Sequence, residues 1–224
     1  MAMVREGMAT HGIAIIAKEQ TAGKGQRGKS WKMAAGKNIA MSIILKTEML
    51  RKDEQFYLSM MVALGVMDCL GKHAGKELKI KWPNDLYWRD RKTGGILIET
   101  VIQGDAWKWA VVGIGINVNQ TTFDSSLPNP VSLKRITDRE YDVIGLAREL
   151  YDCIMKRVTD KRPADELLQE YNGALYKQGA MARLKKGNAV FQTTIKGVSL
   201  LGQLHTMDTM ERQFDFGEVE WLIG

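Results

Sequence analysis

The sequence predicts an α/β (α+β) protein: a mixed β-sheet backed by helices over residues 1–178, then a small β-barrel over 179–224. Two observations carry this. Short stretches of period-two apolar alternation are interleaved with three long helical patterns up to about Tyr176. After Gly179 the texture changes to short β-like runs broken at Lys186-Gly187-Asn188, Lys196-Gly197, Leu201-Gly202 and Met207-Asp208, a spacing that suits a small barrel.

In chain order, Gly12 to Ala17 reads as a short strand, Gln20 to Trp31 as a glycine-rich charged loop, and Asn38 to Leu45 as a second strand. Asp53 to His73 is apolar nearly all round, so a buried helix is expected. Between Glu77 and Trp82, Leu78, Ile80 and Trp82 face one way and Lys79 and Lys81 the other. Pro83-Asn84-Asp85 reads as a turn. Gly94 to Ile102 and Trp107 to Asn119 are strands joined by a hairpin at Gly104-Asp105. Gln120 to Arg135, with Pro128 and Pro130, reads as a loop. Helices are expected over Asp142 to Thr159, striped by Val143, Ala147, Leu150, Ile154 and Val158, and over Pro163 to Tyr176 with proline at the start.

Composition is that of an ordinary globular chain, and the net charge of +6 suits anionic ligands such as ATP or an acidic protein partner, as well as plain solubility. The apolar stretch from Phe56 to Leu70 is too short for a membrane span and carries Asp68, and no export signal opens the chain. Cys69 and Cys153 are the two cysteines. Without CxxC or CxC spacing they predict neither a disulfide framework nor a zinc site, and a reducing cytoplasmic setting is expected. His11, His73 and His205 show no metal-ligand spacing.

Gly23-Lys24-Gly25-Gln26-Arg27-Gly28-Lys29-Ser30 fits both G-x-x-x-x-G-K-[ST] and G-x-G-x-x-G. Either motif needs a strand running straight into the loop and a helix starting right after it. Here Lys18 to Thr21 intervene before the loop, and Gly36 and the Ile39 to Leu45 pattern argue against a helix after it. The loop offers close backbone approach, the charges of Lys24, Arg27 and Lys29, and an apolar lid in Trp31, which suits closure over an anionic intermediate. A basic surface loop is the plain alternative.

Two further constellations follow. Lys81-Trp82-Pro83-Asn84-Asp85 projects Asn84 and Asp85 at a strand end, and Lys92 precedes Gly94-Gly95. A turn-capping aspartate and a solvated lysine are the bland readings. In Gly113-Ile114-Gly115-Ile116-Asn117-Val118-Asn119, one face carries Ile114, Ile116 and Val118, and the other is stripped of bulk and ends in two amides. Such a face marks close approach of a ligand, a bulge or a tight helix crossing.

Together these stretches resemble the biotin protein ligases, of the monofunctional type without a DNA-binding domain. Gln20 to Trp31 resembles that family's biotin loop, Lys81 to Asp85 its pentapeptide, and Lys92 to Glu99 and Gly113 to Asn119 its next two motifs, in order. The resemblance runs from about residue 10 to 222 and implies an SH3-like C-terminal barrel. It also implies two steps: the biotin carboxylate attacks the α-phosphate of ATP, with Mg²⁺ neutralising charge, and a lysine of a biotin carboxyl carrier domain attacks the resulting biotinyl-5'-AMP.

The roles implied are Lys92, Arg27 and Asp85 for catalysis. Gln20, Gly23, Lys24, Gly25, Gln26, Trp31, Lys92, Gly94 and Gly95 would bind biotin. Lys29, Asn84 and Asn117 would bind ATP, with Asp85 as the Mg²⁺ ligand. The family's upstream Ser-Thr-Asn stretch is not found, and the chain is expected to begin just after it. Gln26 and Lys29 stand where the family commonly has arginine. Specific DNA binding and a membrane partner are not expected, and a homodimer is one arrangement compatible with the reading. The alternatives are a lipoate ligase or acyltransferase, whose Arg-Arg-x-Ser-Gly-Gly-Gly loop is not found here, and a non-catalytic protein- or RNA-binding module.

Overall fold

The computed structural model describes every residue except 29, 49, 105 and 224, and the side chains at 27 and 52 are likewise not described. The readings at Lys29, at the Arg27 side chain and at Asp105 therefore lie outside the described residues.

After a one-turn helix α1 (Ala2–Arg5), the first sheet contains β1 (Ala14–Ile16), β2 (Ile39–Lys46), β3 (Leu78–Lys81), β4 (Asp85–Trp88), β5 (Arg91–Gln103) and β6 (Ala106–Ile116), in the order β1-β2-β6-β5-β4-β3. Every named ladder is antiparallel, so its mixed character is confined to isolated parallel bridges at Ile80–Leu175 and Lys92–Pro130. Hairpin connections explain this: β3, β4, β5 and β6 follow one another through short turns, and no crossover helix is needed.

One face of the sheet is buried. Ile39, Met41 and Ile43 of β2 lie opposite Ile116, Ile114 and Val112 of β6, and all six are shut off from solvent. Against them pack α2 (Gln55–Ala74) and, beside it, α4 (Val143–Asp160), which reaches β2 directly. α2 is buried on most sides, as its composition predicts. At Gly65 the backbones of α2 and α4 come so close that a Cβ would sit 2.7 Å from Ile154 Cα. Asp142 caps α4 by accepting from Ile144 N at 3.1 Å.

Three local differences from expectation have physical causes. Residues 120–135 contain the start of a short helix, α3 (Leu133–Thr137), because the Ser132 hydroxyl accepts from Arg135 N. Asp85 opens strand β4 rather than closing a turn, since Lys81 and Asp85 pair across the 82–84 turn. The last helix, α5 (Ala164–Gly173), stops before Tyr176 because the chain turns back to β3: Ile80 N donates to Ala174 O and Tyr176 N donates to Ile80 O.

The second sheet comprises β7 (Met181–Lys186), β8 (Ala189–Val198), β9 (Leu204–Met207), β10 (Glu211–Phe214) and β11 (Glu220–Trp221), ordered β10-β9-β8-β7-β11 around Leu184, Ile195, Leu204 and Phe214. It docks through side chains of the larger unit. Trp82 Nε1 donates to Gly202 O at 2.9 Å, Asn172 exchanges two hydrogen bonds with the Val198 backbone, and Phe56 packs onto Gly202. No helix among the described residues is long and apolar enough to cross a membrane.

Candidate functional site

A cleft of about 1100 Å³ opens on the face of the first sheet away from the helices. Its floor follows from register. Gly115 of β6 lies between Ala40 of β2 and Gly95 of β5, and Gly95 lies opposite Asp85 of β4. The result is a low row of small residues crossing three strands and ending in a carboxylate.

Trp31 lies on this row. A Cβ at Gly115 would sit 2.5 Å from the indole, so only glycine admits the ring. The loop that carries Trp31 closes on itself: Trp31 N donates to Gly23 O at 2.8 Å, Lys24 and Ser30 form a β-bridge, and a single 3₁₀ turn spans Gln26–Gly28. Among the described residues the next element after it is strand β2, where a P-loop or dinucleotide motif would need a helix. A Cβ at Gly23 would meet Trp31 O at 2.4 Å. The chain beyond the loop is tied to residues 120–124 by Ala34 N donating to Gln120 Oε1 and by the Lys32–Asp124 ion pair. Trp31 Nε1 is closed to solvent and has no hydrogen-bond partner among the described residues. A buried donor without a partner is costly, and this one faces the Gly115 floor of the cleft.

Lys92 is fixed from both ends. Its backbone N donates to Asn129 O, and its carbonyl accepts from Val131 N, both at 2.8 Å. Its ammonium donates to Asp85 Oδ1 at 2.5 Å and stands 5.9 Å from the Trp31 ring centre. Lys81 Nζ approaches the other Asp85 oxygen at 3.9 Å. A Cβ at Gly95 would crowd both Asp85 and Lys92. Burial first, and the Asp85 charge second, push the nearby Tyr87 hydroxyl far above its ordinary value, so it stays neutral.

Of the residues singled out by sequence, Gln20, Lys24, Gly25, Gln26, Trp31, Asn84, Asp85, Lys92, Gly95 and Asn117 line this one cleft. Gly23 and Gly94 stand behind the wall: Gly23 backs Trp31, and Gly94 packs against Gly115 O and Ile116. Asn84 and Asn117 border the cleft while their amides hold the scaffold. Asn84 Nδ2 donates to Ile96 O, and Asn117 Nδ2 donates to Val131 O at 3.2 Å.

Asp85 was also the candidate Mg²⁺ ligand. Both its oxygens face ammonium groups, and no cluster of three metal-type ligands forms around it among the described residues. That arrangement fits a carboxylate that orients Lys92, and a single carboxylate beside nucleotide phosphates is also how Mg²⁺ is commonly held.

The sequence reading missed the contribution of the C-terminal segment. Phe216, Val219 and Trp221 line the cleft, and Lys81 Nζ lies over the Trp221 ring at 5.5 Å. The apolar character of Trp221 was visible, but nothing local tells that the second sheet folds back to this cleft.

Comparison with known proteins places the chain. Residues 4–117 match the model of the biotin/lipoate A/B protein ligase family. The bifunctional ligase/repressor BirA of Bacillus subtilis (strain 168) is 34% identical over 156 residues, which is 68% of this chain but 47% of that protein, so the chain is matched to about half of the relative's length. The biotin--[acetyl-CoA-carboxylase] ligase of Mycobacterium tuberculosis is 28% identical over 83% of this chain and 69% of its own length. In fold, the chain is similar to the Aquifex aeolicus biotin protein ligase in complex with biotin and ATP, with TM-score 0.81 and 22% identity over 96% of this chain and 91% of that one. The Leishmania major biotin protein ligase in complex with biotinyl-5-AMP has TM-score 0.66 and 21% identity over 98% and 92%. The chain belongs to the biotin/lipoate A/B protein ligase family.

Proposed function

We propose that this chain activates biotin with ATP to biotinyl-5'-AMP and transfers the biotinyl group to a lysine of a biotin carboxyl carrier domain in the cytoplasm. The observation that carries the reading is Lys92, oriented by Asp85 beside Trp31 over the glycine row. An ammonium held in place before substrate arrives needs no reorganisation when negative charge builds on the carboxylate and α-phosphate oxygens. Trp31 supplies an apolar wall against water. Neither step calls for a protein nucleophile, and positioning with electrostatic stabilisation is what this cleft offers. Mg²⁺ would enter with the ATP phosphates, with Asp85 as its protein ligand.

Further roles belong to the same reading. Residues 1–178 form the catalytic unit and 179–224 an SH3-like unit that lends Trp221 to the cleft wall. Lys24, Arg27 and Lys29 supply loop charge. With glutamine at position 26, Arg27 takes over the phosphate contact, and Arg27→Ala speeds loss of biotinyl-AMP.

The test is Lys92→Ala. Biotin-dependent pyrophosphate release should fall about 10²–10³-fold, equivalent to about 2.7–4 kcal/mol, with an unchanged urea midpoint. Near-wild-type release by the folded variant would reject the role. Equal activation of lipoate and biotin by the wild type would reject the substrate.

A further inference from the structure

The helix layer on the far side of the sheet holds a second constellation that the cleft does not use. Cys69 and His73 are four residues apart on α2, and Glu149 and Cys153 are four residues apart on α4. Residues at that spacing share one helix face, one turn above the other. The packing of α2 on α4 brings the two pairs together. The ligand atoms of Cys69, Glu149 and Cys153 lie within 4.8 Å of one another; His73 stands outside that trio, with its Nε2 3.6 Å from Glu149 Oε2. His73 Nε2 is closed to solvent and has no hydrogen-bond partner among the described residues. Lys72 Nζ holds the other carboxylate oxygen, Oε1, at 2.7 Å.

We propose that Cys69, His73, Glu149 and Cys153 form a site for a soft divalent transition-metal ion of the Zn²⁺ type, clasping α2 to α4. Two sulfurs and one carboxylate oxygen already stand together, and His73, beside Glu149, would complete a tetrahedral donor set by a side-chain turn. Lys72 plays the outer part, orienting Glu149 by the oxygen the metal does not take. Charge also closes: two thiolates and a carboxylate carry three negative charges, which a divalent ion and Lys72 neutralise. Binding forms two metal–sulfur bonds and releases the two thiol protons to solvent. The sequence gives no hint of this, because ligand motifs are recognised within one segment and this set is divided between two distant helices.

The test uses the full chain, stripped of metal and kept reduced by a non-thiol reductant. Co²⁺ serves as the probe because its thiolate complexes show sulfur-to-metal charge-transfer absorption. One Co²⁺ per chain should bind with that band and with the d–d intensity of a tetrahedral site, and Zn²⁺ should displace it. Cys153→Ser should weaken binding by at least about 100-fold, beyond the 10–100-fold that loss of an outer partner costs. His73→Asn and Glu149→Gln, both at partly exposed positions, should weaken it by about tenfold or more without unfolding the chain. Biotin-dependent pyrophosphate release by metal-free Cys153→Ser should match metal-free wild type, since the cleft lies on the other face of the sheet. Absence of the charge-transfer band, or Co²⁺ binding unchanged in Cys153→Ser, would overturn the proposal. So would a chain that takes up no Co²⁺ but joins Cys69 to Cys153 under a mild thiol oxidant.

Discussion

The two faces of the first sheet are built from the same strands and do opposite work. On β6, Ile114 and Ile116 point into the helix layer and are buried, while Gly113 and Gly115 point into the cleft. Close approach occurs on both sides, but its partner differs. Gly65, on the helix side, meets the backbone of Ile154, which cannot give. Gly115, on the cleft side, meets the ring of Trp31, which sits on a loop closed, among the described residues, by the Trp31–Gly23 backbone bond and the Lys24–Ser30 bridge. The lesson is that a glycine against backbone fixes packing, whereas a glycine against a loop side chain fixes the shape of a site.

The sharpest way to break this comparison is Ile154→Ala. Ile154 is fully buried against α2, and truncation leaves a cavity that two packed helices close only in part. A loss of about 2–5 kcal/mol in urea unfolding is expected, with kcat and KM of the surviving folded enzyme unchanged. If catalysis falls while stability holds, the two faces are not separate.

Gly115→Val is the converse and smaller test. A valine side chain there must displace Trp31 from the row. KM for biotin or ATP should rise about tenfold, near 1.4 kcal/mol, while the urea midpoint stays within about 0.5 kcal/mol of wild type. Tryptophan fluorescence would report the displaced ring. An unchanged KM would show that Trp31 over Gly115 does not shape the substrate site.

What was legible in the sequence follows the same division. Period-two alternation on β6 and β3 told which residues are core, because burial on one face of a strand leaves its mark every second residue. The stripe of α4 and the all-round apolarity of α2 told that helices cover that face. Lys92, Asp85 and the loop were found because each stands in a dense local motif. Their meeting was not legible: the pairing of Gly95 with both Asp85 and Gly115 is a matter of register, which no single segment contains. Strand β4 was missed because Asp85-Leu-Tyr-Trp88 is short and adjoins the turn. The return of Trp221 to the cleft and the meeting of Cys69 with Cys153 are tertiary facts of the same kind.

The smallest test concerns how the helix face is held at its rim. Arg157 of α4 is bonded to Asp68 of α2 at 2.5 and 2.7 Å and to Glu170 of α5 at 2.8 and 2.6 Å, and Arg162 also reaches Glu170 at 2.8 Å. Hydrogen bonding from Arg157, then the charges of Arg157 and Arg162, hold the Glu170 carboxyl below its ordinary value of 4.5 against the opposing effect of burial. Because the folded-state value is the lower one, the carboxylate stabilises the fold fully above the ordinary glutamate range. That contribution is lost as pH falls through and below it. Glu170 is about a third exposed, so solvent screening limits the effect. Glu170→Gln should therefore cost less than about 1 kcal/mol at neutral pH, with no change in pyrophosphate release. The deficit should shrink toward zero as wild type and variant are unfolded at successively lower pH, since the wild-type carboxyl then becomes neutral as well. A deficit that persists undiminished in acid would mean that Glu170 contributes by packing and not by charge. The network would then be an ornament of the rim, and the helix face would rest on its apolar contacts alone.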